Sequence, residues 1–135
     1  MQIAIIDTNT DNLEKLEDII KQIDSDVRCL SFVFSDQAMR VIATELIPVP
    51  NYIFINVDLP RLTGPECLRK LKQVPRLKSS KIIMFAEVMP QAVGQAFLKR
   101  GAFDFFQKPV DDSIYTSKVK DIFDGVSEPA VHSYA

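Results

Sequence analysis

The chain has 135 residues, 47% of them hydrophobic, and a formal net charge of −2, which is typical of one folded domain rather than a disordered segment. Its lysines and arginines are scattered along the sequence, so charge does not favour a nucleic-acid-binding protein. No apolar run approaches the roughly 20 residues of a membrane span, and the first residues lack the pattern of a signal peptide. We therefore predict a cytoplasmic protein with no membrane partner.

Five apolar, strand-sized runs alternate with five helical segments along the chain. The predicted strands lie near residues 2–7, 27–33, 52–56, 81–86 and 103–107. Apolar side chains recur at helical spacing between and after them: Leu13, Leu16, Ile20 and Ile23; Ala38, Val41, Ile42 and Leu46; Cys67, Leu68, Leu71 and Val74; Ala92, Val93, Ala96 and Phe97; Tyr115, Val119, Ile122 and Phe123. This alternation predicts an α/β fold, with a parallel sheet covered by helices on both faces.

The cysteines and the histidine do not indicate a metal site. Cys29 and Cys67 each lack a second cysteine or a histidine nearby, so we expect buried free thiols. His132 lies in residues 127–135, which we expect to form a short flexible tail after one domain of residues 1–126.

Three segments at the ends of predicted strands carry a family resemblance. They are residues 3–9 (IAIIDTN), residues 56–60 (NVDLP) followed by Gly64, and residues 101–109 (GAFDFFQKP). On these segments the chain resembles the receiver domain of bacterial two-component response regulators, from residue 2 to about residue 125. The resemblance implies a flavodoxin-like, doubly wound sheet of five parallel strands in the order 2-1-3-4-5, with five helices.

The resemblance also implies where a phosphorylation pocket would lie. In the family, two adjacent acids after strand one and a backbone carbonyl near the end of strand three hold Mg²⁺, and an aspartate at the end of strand three accepts the phosphoryl group. A Thr or Ser ends strand four, an aromatic switch residue lies in strand five, and an invariant Lys precedes a Pro. The matching positions here are Asp7, Thr8, Asn56, Asp58, Phe85, Phe105 and Lys108.

Departures from the family pattern fall at the positions that carry the chemistry. Asn56 replaces the acceptor aspartate, and a neutral carboxamide is a far poorer nucleophile than a carboxylate. Thr8 replaces one of the two acids, so Asp7 and Lys108 leave the pocket neutral, whereas a hard dication needs negative ligands. We expect no catalytic residue, no cofactor and at most weak Mg²⁺ binding at Asp7 and Asp58.

The switch position at the end of strand four departs in size, because Phe85 replaces a Thr or Ser. The resemblance implies that the small hydroxyl residue of strand four moves toward the phosphoryl group, which frees space for the strand-five aromatic to rotate. We expect the bulk of Phe85 to fill that space and to hold Phe105 in one outward orientation. Asp7 and Lys108 are expected to form a partly buried ion pair.

The sequence favours a phosphorylation-independent protein-interaction module, and not an enzyme. The expected partner is a protein, with a histidine kinase, another signalling protein or a second copy of the chain as candidates. The resemblance implies an interaction surface on helix four, strand five and helix five. Its expected residues are Val88, Met89, Lys99, Arg100, Phe103 and Phe105.

Two alternatives remain open. A working phospho-receiver could use Asp58 or another acid, although the resemblance implies that the Asp58 side chain points toward the rim. A flavodoxin-like flavin or nucleotide binder could hold phosphate at residues 8–12, where a helix begins, although Asp11 would repel it. Metal binding by the free protein would indicate the first alternative, and a colourless purified protein would argue against flavin.

Overall fold

The computed structural model describes residues 1–126 and contains five strands and five α-helices there. The strands are β1 (Gln2–Ile6), β2 (Arg28–Phe32), β3 (Tyr52–Asn56), β4 (Lys81–Ala86) and β5 (Asp104–Gln107). The helices are α1 (Thr10–Ile23), α2 (Ser35–Ile42), α3 (Gly64–Leu71), α4 (Gln91–Lys99) and α5 (Asp112–Phe123), with a 3₁₀ turn at Pro75–Leu77. The predicted alternation is confirmed, while His132 and the predicted tail lie outside the described residues.

The strands pair in parallel in the order β2-β1-β3-β4-β5, which confirms the doubly wound, flavodoxin-like sheet. The chain changes direction across the sheet between β1 and β3, so the carboxyl ends of these two strands flank the point where ligands bind in such folds. In residues 1–126, no helix is both long and apolar enough to cross a membrane.

Alternate side chains of each strand enter two hydrophobic cores, one on each face of the sheet. One core lies under α2, α3 and α4 and includes Met84 and Phe105. The other lies under α1 and α5 and includes Phe54, Phe85 and Phe106. The central strands are apolar along their whole length because both of their faces are covered.

The apolar faces predicted for α1, α2, α3 and α5 are buried or partly buried, except at the last position predicted for α2. Leu46 lies beyond the end of α2 and is 75% exposed. Val74 lies beyond α3 but still packs against the core under α2, α3 and α4.

Helix α4 packs on the sheet through a different face from the predicted one. Its buried residues are Gly94 and Phe97. The ring of Phe105 lies against the α4 backbone at Gly94, where an added Cβ would be 2.1 Å from the ring. Of the four predicted contact residues, Phe97 is therefore confirmed as buried, whereas Ala92, Val93 and Ala96 are exposed.

Candidate functional site

Asp7 follows β1 and is buried, with 1% of its surface exposed. Its Oδ1 accepts a hydrogen bond from the backbone N–H of Asn9 at 3.0 Å. Its Oδ2 accepts from Nδ2 of Asn12 at 3.3 Å and from Nδ2 of Asn56 at 3.0 Å. A buried charge is tolerated only when it is paired or well hydrogen-bonded, and these three N–H donors supply the bonds.

Asn56 ends β3 and connects Asp7 to the loop that follows the strand. Its Nδ2 donates to Asp7, and its Oδ1 accepts from the backbone N–H of Asp58 at 2.8 Å. The carboxylate requires a donor and the N–H requires an acceptor, so the two neighbours together fix the orientation of the amide. An aspartate at this position could serve the loop N–H, but it would direct a second carboxylate at Asp7.

Lys108 and Asp7 are bridged by a side chain and form no direct ion pair. Lys108 Nζ donates to Asn12 Oδ1, while Asn12 Nδ2 donates to Asp7. The ion pairs within residues 1–126 include neither Lys108 nor Asp7. The predicted ion pair is therefore wrong, because the Asn12 carboxamide lies between the two charges. The sequence did not lead us to predict that Asn12 belongs to the site. Its position in the first turn of α1 is the only sequence feature that indicates such a role.

The beginning of α1 holds Asn12 in place. Asn9 is the N-cap residue, and its side-chain oxygen accepts from the backbone N–H of Asn12 at 3.0 Å. Asp7 accepts from the N–H of Asn9, so the chain's own side chains already use this helix start. A phosphate would also meet the negative charge of Asp7. The loop therefore gives no support to a flavin or nucleotide site.

The pocket residues do not fit the Mg²⁺ site that the family resemblance implies. Thr8 and Asp58 are exposed, and the carboxylate of Asp7 faces three N–H donors rather than other oxygen ligands. In the described part of the chain, no group of three or more His, Cys, Asp or Glu side chains could hold a metal ion. The three N–H donors thus provide the Asp7 carboxylate with hydrogen bonds that do not require a cation.

Phe85 is a core aromatic on the side of the sheet under α1 and α5. It is 1% exposed and stacks on Phe106, with ring centroids 5.6 Å apart and an interplanar angle of 11°. Phe106 in turn contacts the ring of Tyr115 at 5.6 Å. Burial, together with the negative charge of Asp7, raises the pKa of the Tyr115 hydroxyl. Tyr115 therefore stays neutral within this aromatic cluster.

Phe105 is fully buried, so its predicted outward orientation is wrong. The β4–β5 register pairs Met84 with Phe105 and Phe85 with Phe106. Because side chains alternate along a strand, Phe105 and Phe85 lie on opposite faces of the sheet. The bulk of Phe85 therefore cannot block the space next to Phe105. That space is supplied by Gly94 of α4.

The predicted interaction surface is only partly exposed. Val88 is 74% exposed, Lys99 and Arg100 are exposed, and Phe103 is half-buried. Met89, by contrast, is buried. Its backbone N–H donates to the side chain of Gln107 at 3.0 Å, which holds the loop before α4 against the end of β5. Met89 and Phe105 are therefore corrected from surface to core. The outward residues of α4 extend the apolar part of the surface.

Sequence comparisons identify the family. The sequence profile of the response regulator receiver domain matches residues 3–120. The chain is 27% identical to the two-component response regulator ORR6 of Oryza sativa subsp. japonica over 114 residues, covering 84% of this chain and 65% of that protein. It is 35% identical to ORR11 of Oryza sativa subsp. indica over 80 residues, covering 57% of this chain and 51% of that protein. The chain thus spans about half to two-thirds of these relatives.

Solved structures share the fold. A response regulator receiver domain from Rhodospirillum rubrum superposes with a TM-score of 0.80 at 17% identity, covering 95% of this chain and 96% of that chain. The CheX-CheY-BeF3-Mg+2 complex from Borrelia burgdorferi matches with a TM-score of 0.76 at 18% identity, covering 91% and 89%. Identities this low show the fold alone. Because the family profile spans most of the sequence, this chain belongs to the response regulator receiver domain family of two-component signalling proteins.

Proposed function

We propose that this receiver domain is a phosphorylation-independent protein-interaction module. Receiver domains are in general signalling modules rather than enzymes. The observation that carries the proposal is the 3.0 Å hydrogen bond from Asn56 Nδ2 to Asp7 Oδ2. It ties a neutral amide to the buried acid at the place where relatives carry a nucleophilic carboxylate.

The chemistry of phosphoryl transfer supports this proposal. Transfer depends on positioning and on positive charge, chiefly from a metal ion, beside an in-line nucleophile. The Asn56 oxygen is neutral and already accepts the Asp58 N–H. A metal at Asp7 would have to displace N–H donors whose bonds to a charged group each contribute about 1.5–3 kcal/mol. We therefore propose weak or absent Mg²⁺ binding and no cofactor.

Asp58 supports the alternative of a working phospho-receiver only weakly. Its side chain is exposed, and its backbone N–H is held by Asn56. Lys108, the residue that would neutralise a transferred phosphoryl group, is engaged with Asn12. An attack from Asp58 would thus occur at the rim of the pocket without a described cation positioned for it.

The packing of Phe105 supports a domain with a single surface conformation. The resemblance implies that relatives turn this aromatic inward when they are phosphorylated. Here the ring is already inside, against Gly94, with no phosphoryl group required. On the predicted interaction surface, exposed Val88 and Val93 form an apolar centre, and charged Lys99 at the end of α4 forms a polar edge.

We further propose that the partner is a signalling protein, with a histidine kinase or a second copy of the chain as candidates, and that the complex forms in the cytoplasm. The surface predicted for it combines the loop before α4 with the outward face of α4. Val88 and Val93 would be the apolar anchors of this surface, because Phe105 is buried and cannot contact a partner.

Capture from the native cell tests this proposal. Immobilised protein should retain the same partner with and without acetyl phosphate and Mg²⁺. Val88→Glu combined with Val93→Glu should lose that partner, because a charge in the apolar centre of an interface is costly. Leu46→Glu is the control, since Leu46 is as exposed as Val88 but lies after α2. A partner that is retained only after acetyl phosphate treatment would contradict the proposal.

A further inference from the structure

A groove between α3 and α4 has a charge distribution that the proposed function does not use. Its volume is about 680 Å³, and the half-buried Pro65 contributes apolar surface to its wall, whereas Leu68 lies beneath it in the core. Three cations, Arg69, Lys72 and Arg100, also line it. Apolar walls with several cations are suited to a ligand that is both acidic and apolar.

The three cations have no ion-pair partner among residues 1–126. The groove also contains one acid, Glu66, but this side chain belongs to the capping box of α3. Its Oε1 accepts from the backbone N–H and the hydroxyl of Thr63, at 3.2 and 3.0 Å. These bonds lower the pKa of Glu66 and keep it charged at its own helix start. The groove therefore retains positive charge available to a partner.

The sequence segment that contains the three groove cations is strongly basic. The chain has 16 Lys and Arg residues and 18 Asp and Glu residues. Eight of those cations, but only one of the acids, Glu87, lie within residues 67–103. The cations are Arg69, Lys70, Lys72, Arg76, Lys78, Lys81, Lys99 and Arg100. Of these eight, Arg69, Lys72 and Arg100 line the groove, so a net charge of −2 is compatible with a locally basic site.

Gly101 lies next to Lys72, one of the cations of the groove. Its φ of 100° ends α4 in the left-handed region that favours glycine. A Cβ at this position would lie 2.7 Å from Cε of Lys72. The Lys72 side chain therefore lies against Gly101, just after the end of α4.

We propose that the α3–α4 groove binds an acidic segment of a partner protein that carries apolar side chains between its carboxylates. Pro65 and the aliphatic stems of the cations match the apolar side chains, and the charged groups of the cations match the carboxylates. A regular phosphate backbone would be repelled by Glu66, whereas a peptide can be spaced to avoid it. The proposal does not depend on how the pocket at Asp7 behaves, so the two can fail separately.

A fluorescently labelled peptide in which pairs of Glu alternate with pairs of Leu tests the proposal by fluorescence polarisation. Binding should be saturable and should weaken as salt increases, because exposed charges are screened. The charge-reversal variant Arg69→Glu/Lys72→Glu/Arg100→Glu should bind at least about tenfold more weakly. Urea unfolding confirms that the variant is folded. If it is not, the single changes Arg69→Gln and Arg100→Gln should each weaken binding measurably.

A matched control separates the groove from general charge attraction. Lys21→Glu/Arg28→Glu/Lys120→Glu changes the net charge equally at exposed residues of α1, β2 and α5. Its affinity should stay within about twofold of that of the unmodified protein. An equal loss in both variants would overturn the proposal.

Three further outcomes would also overturn it. A peptide with Ser in place of Leu that binds equally well would show that the apolar walls are not used. A single-stranded RNA that binds more tightly, and is lost in the groove variant, would make the groove a nucleic-acid site. Self-association in sedimentation that is lost in the groove variant would make a second copy of the chain the occupant.

Discussion

Asn56 and Asp7 are joined by a 3.0 Å hydrogen bond between Nδ2 and Oδ2 at the carboxyl ends of β3 and β1. The same Asn56 side chain accepts the backbone N–H of Asp58, so one amide fixes both the buried acid and the loop after β3. At the position where a receiver domain carries its nucleophile, this chain has a structural bridge.

Asn56→Asp should destabilise the protein by about 2 kcal/mol at neutral pH without metal, because it replaces a hydrogen bond to Asp7 with a second buried carboxylate. At about pH 5 the loss should be smaller, since one of the two carboxyls then holds a proton. The folded variant would bind more protons than the unfolded chain, so its stability falls as pH rises. Urea unfolding at both pH values measures the difference.

The reciprocal exchange Asp7→Asn/Asn56→Asp serves as the control for this prediction. It keeps one amide and one carboxylate in contact, so it should regain a large part of the lost stability. An Asn56→Asp protein as stable as the unmodified one at neutral pH would show that the bridge contributes little.

Magnesium binding should require two changes and not one. Asn56→Asp alone still lacks the acid that relatives carry next to Asp7, whereas Thr8→Asp/Asn56→Asp supplies both missing carboxylates. Calorimetric titration should detect Mg²⁺ binding by the double variant and much weaker binding by the single one. Equal affinities would mean that missing negative charge is not what limits the site.

Gly94→Ala should cost about 1–3 kcal/mol, even though alanine normally stabilises a helix relative to glycine. The added Cβ would be 2.1 Å from the Phe105 ring, and the ring is fully buried. Phe105→Leu should relieve this clash, so the double variant should lose less than the sum of the single losses. A four-variant urea cycle measures the coupling, and strictly additive losses would exclude the contact.

Cys67 should be protected from thiol reagents until the fold opens. Burial raises the pKa of its thiol to about 11, whereas the Cys29 thiol is only partly buried. An aromatic disulfide reagent should therefore modify Cys29 first, and Cys29→Ser should remove the fast phase. Above about pH 9 the unfolded thiol of Cys67 ionises before the folded one, so stability should decline toward pH 11. Rapid modification of Cys67 in the folded Cys29→Ser variant would contradict its burial.

The sheet and the helix spans could be predicted because their signals are local. Apolar runs and helical spacing specify each element, and the order of elements with the family pattern indicates the sheet. The two aromatic positions show where this reasoning fails. The sequence gives no register between β4 and β5, and only the register reveals that Phe85 and Phe105 face opposite sides of the sheet.

The polar bridges and the basic groove also escaped sequence reasoning. An asparagine in the first turn of a helix has no feature that indicates a contact with both Asp7 and Lys108, yet Asn12 makes both. Cations spaced unevenly along residues 67–103 look scattered until two helices and a glycine turn place some of them along one groove. In each case the decisive contact joins residues that are distant in sequence.

Intact mass after treatment with acetyl phosphate and Mg²⁺ tests the central claim most directly. We predict an unchanged mass, because Asn56 is hydrogen-bonded to Asp7 and offers no carboxylate to phosphorus. A stable gain of one phosphoryl group, lost in Asp58→Asn but kept in Asp7→Asn, would contradict it and make Asp58 the acceptor.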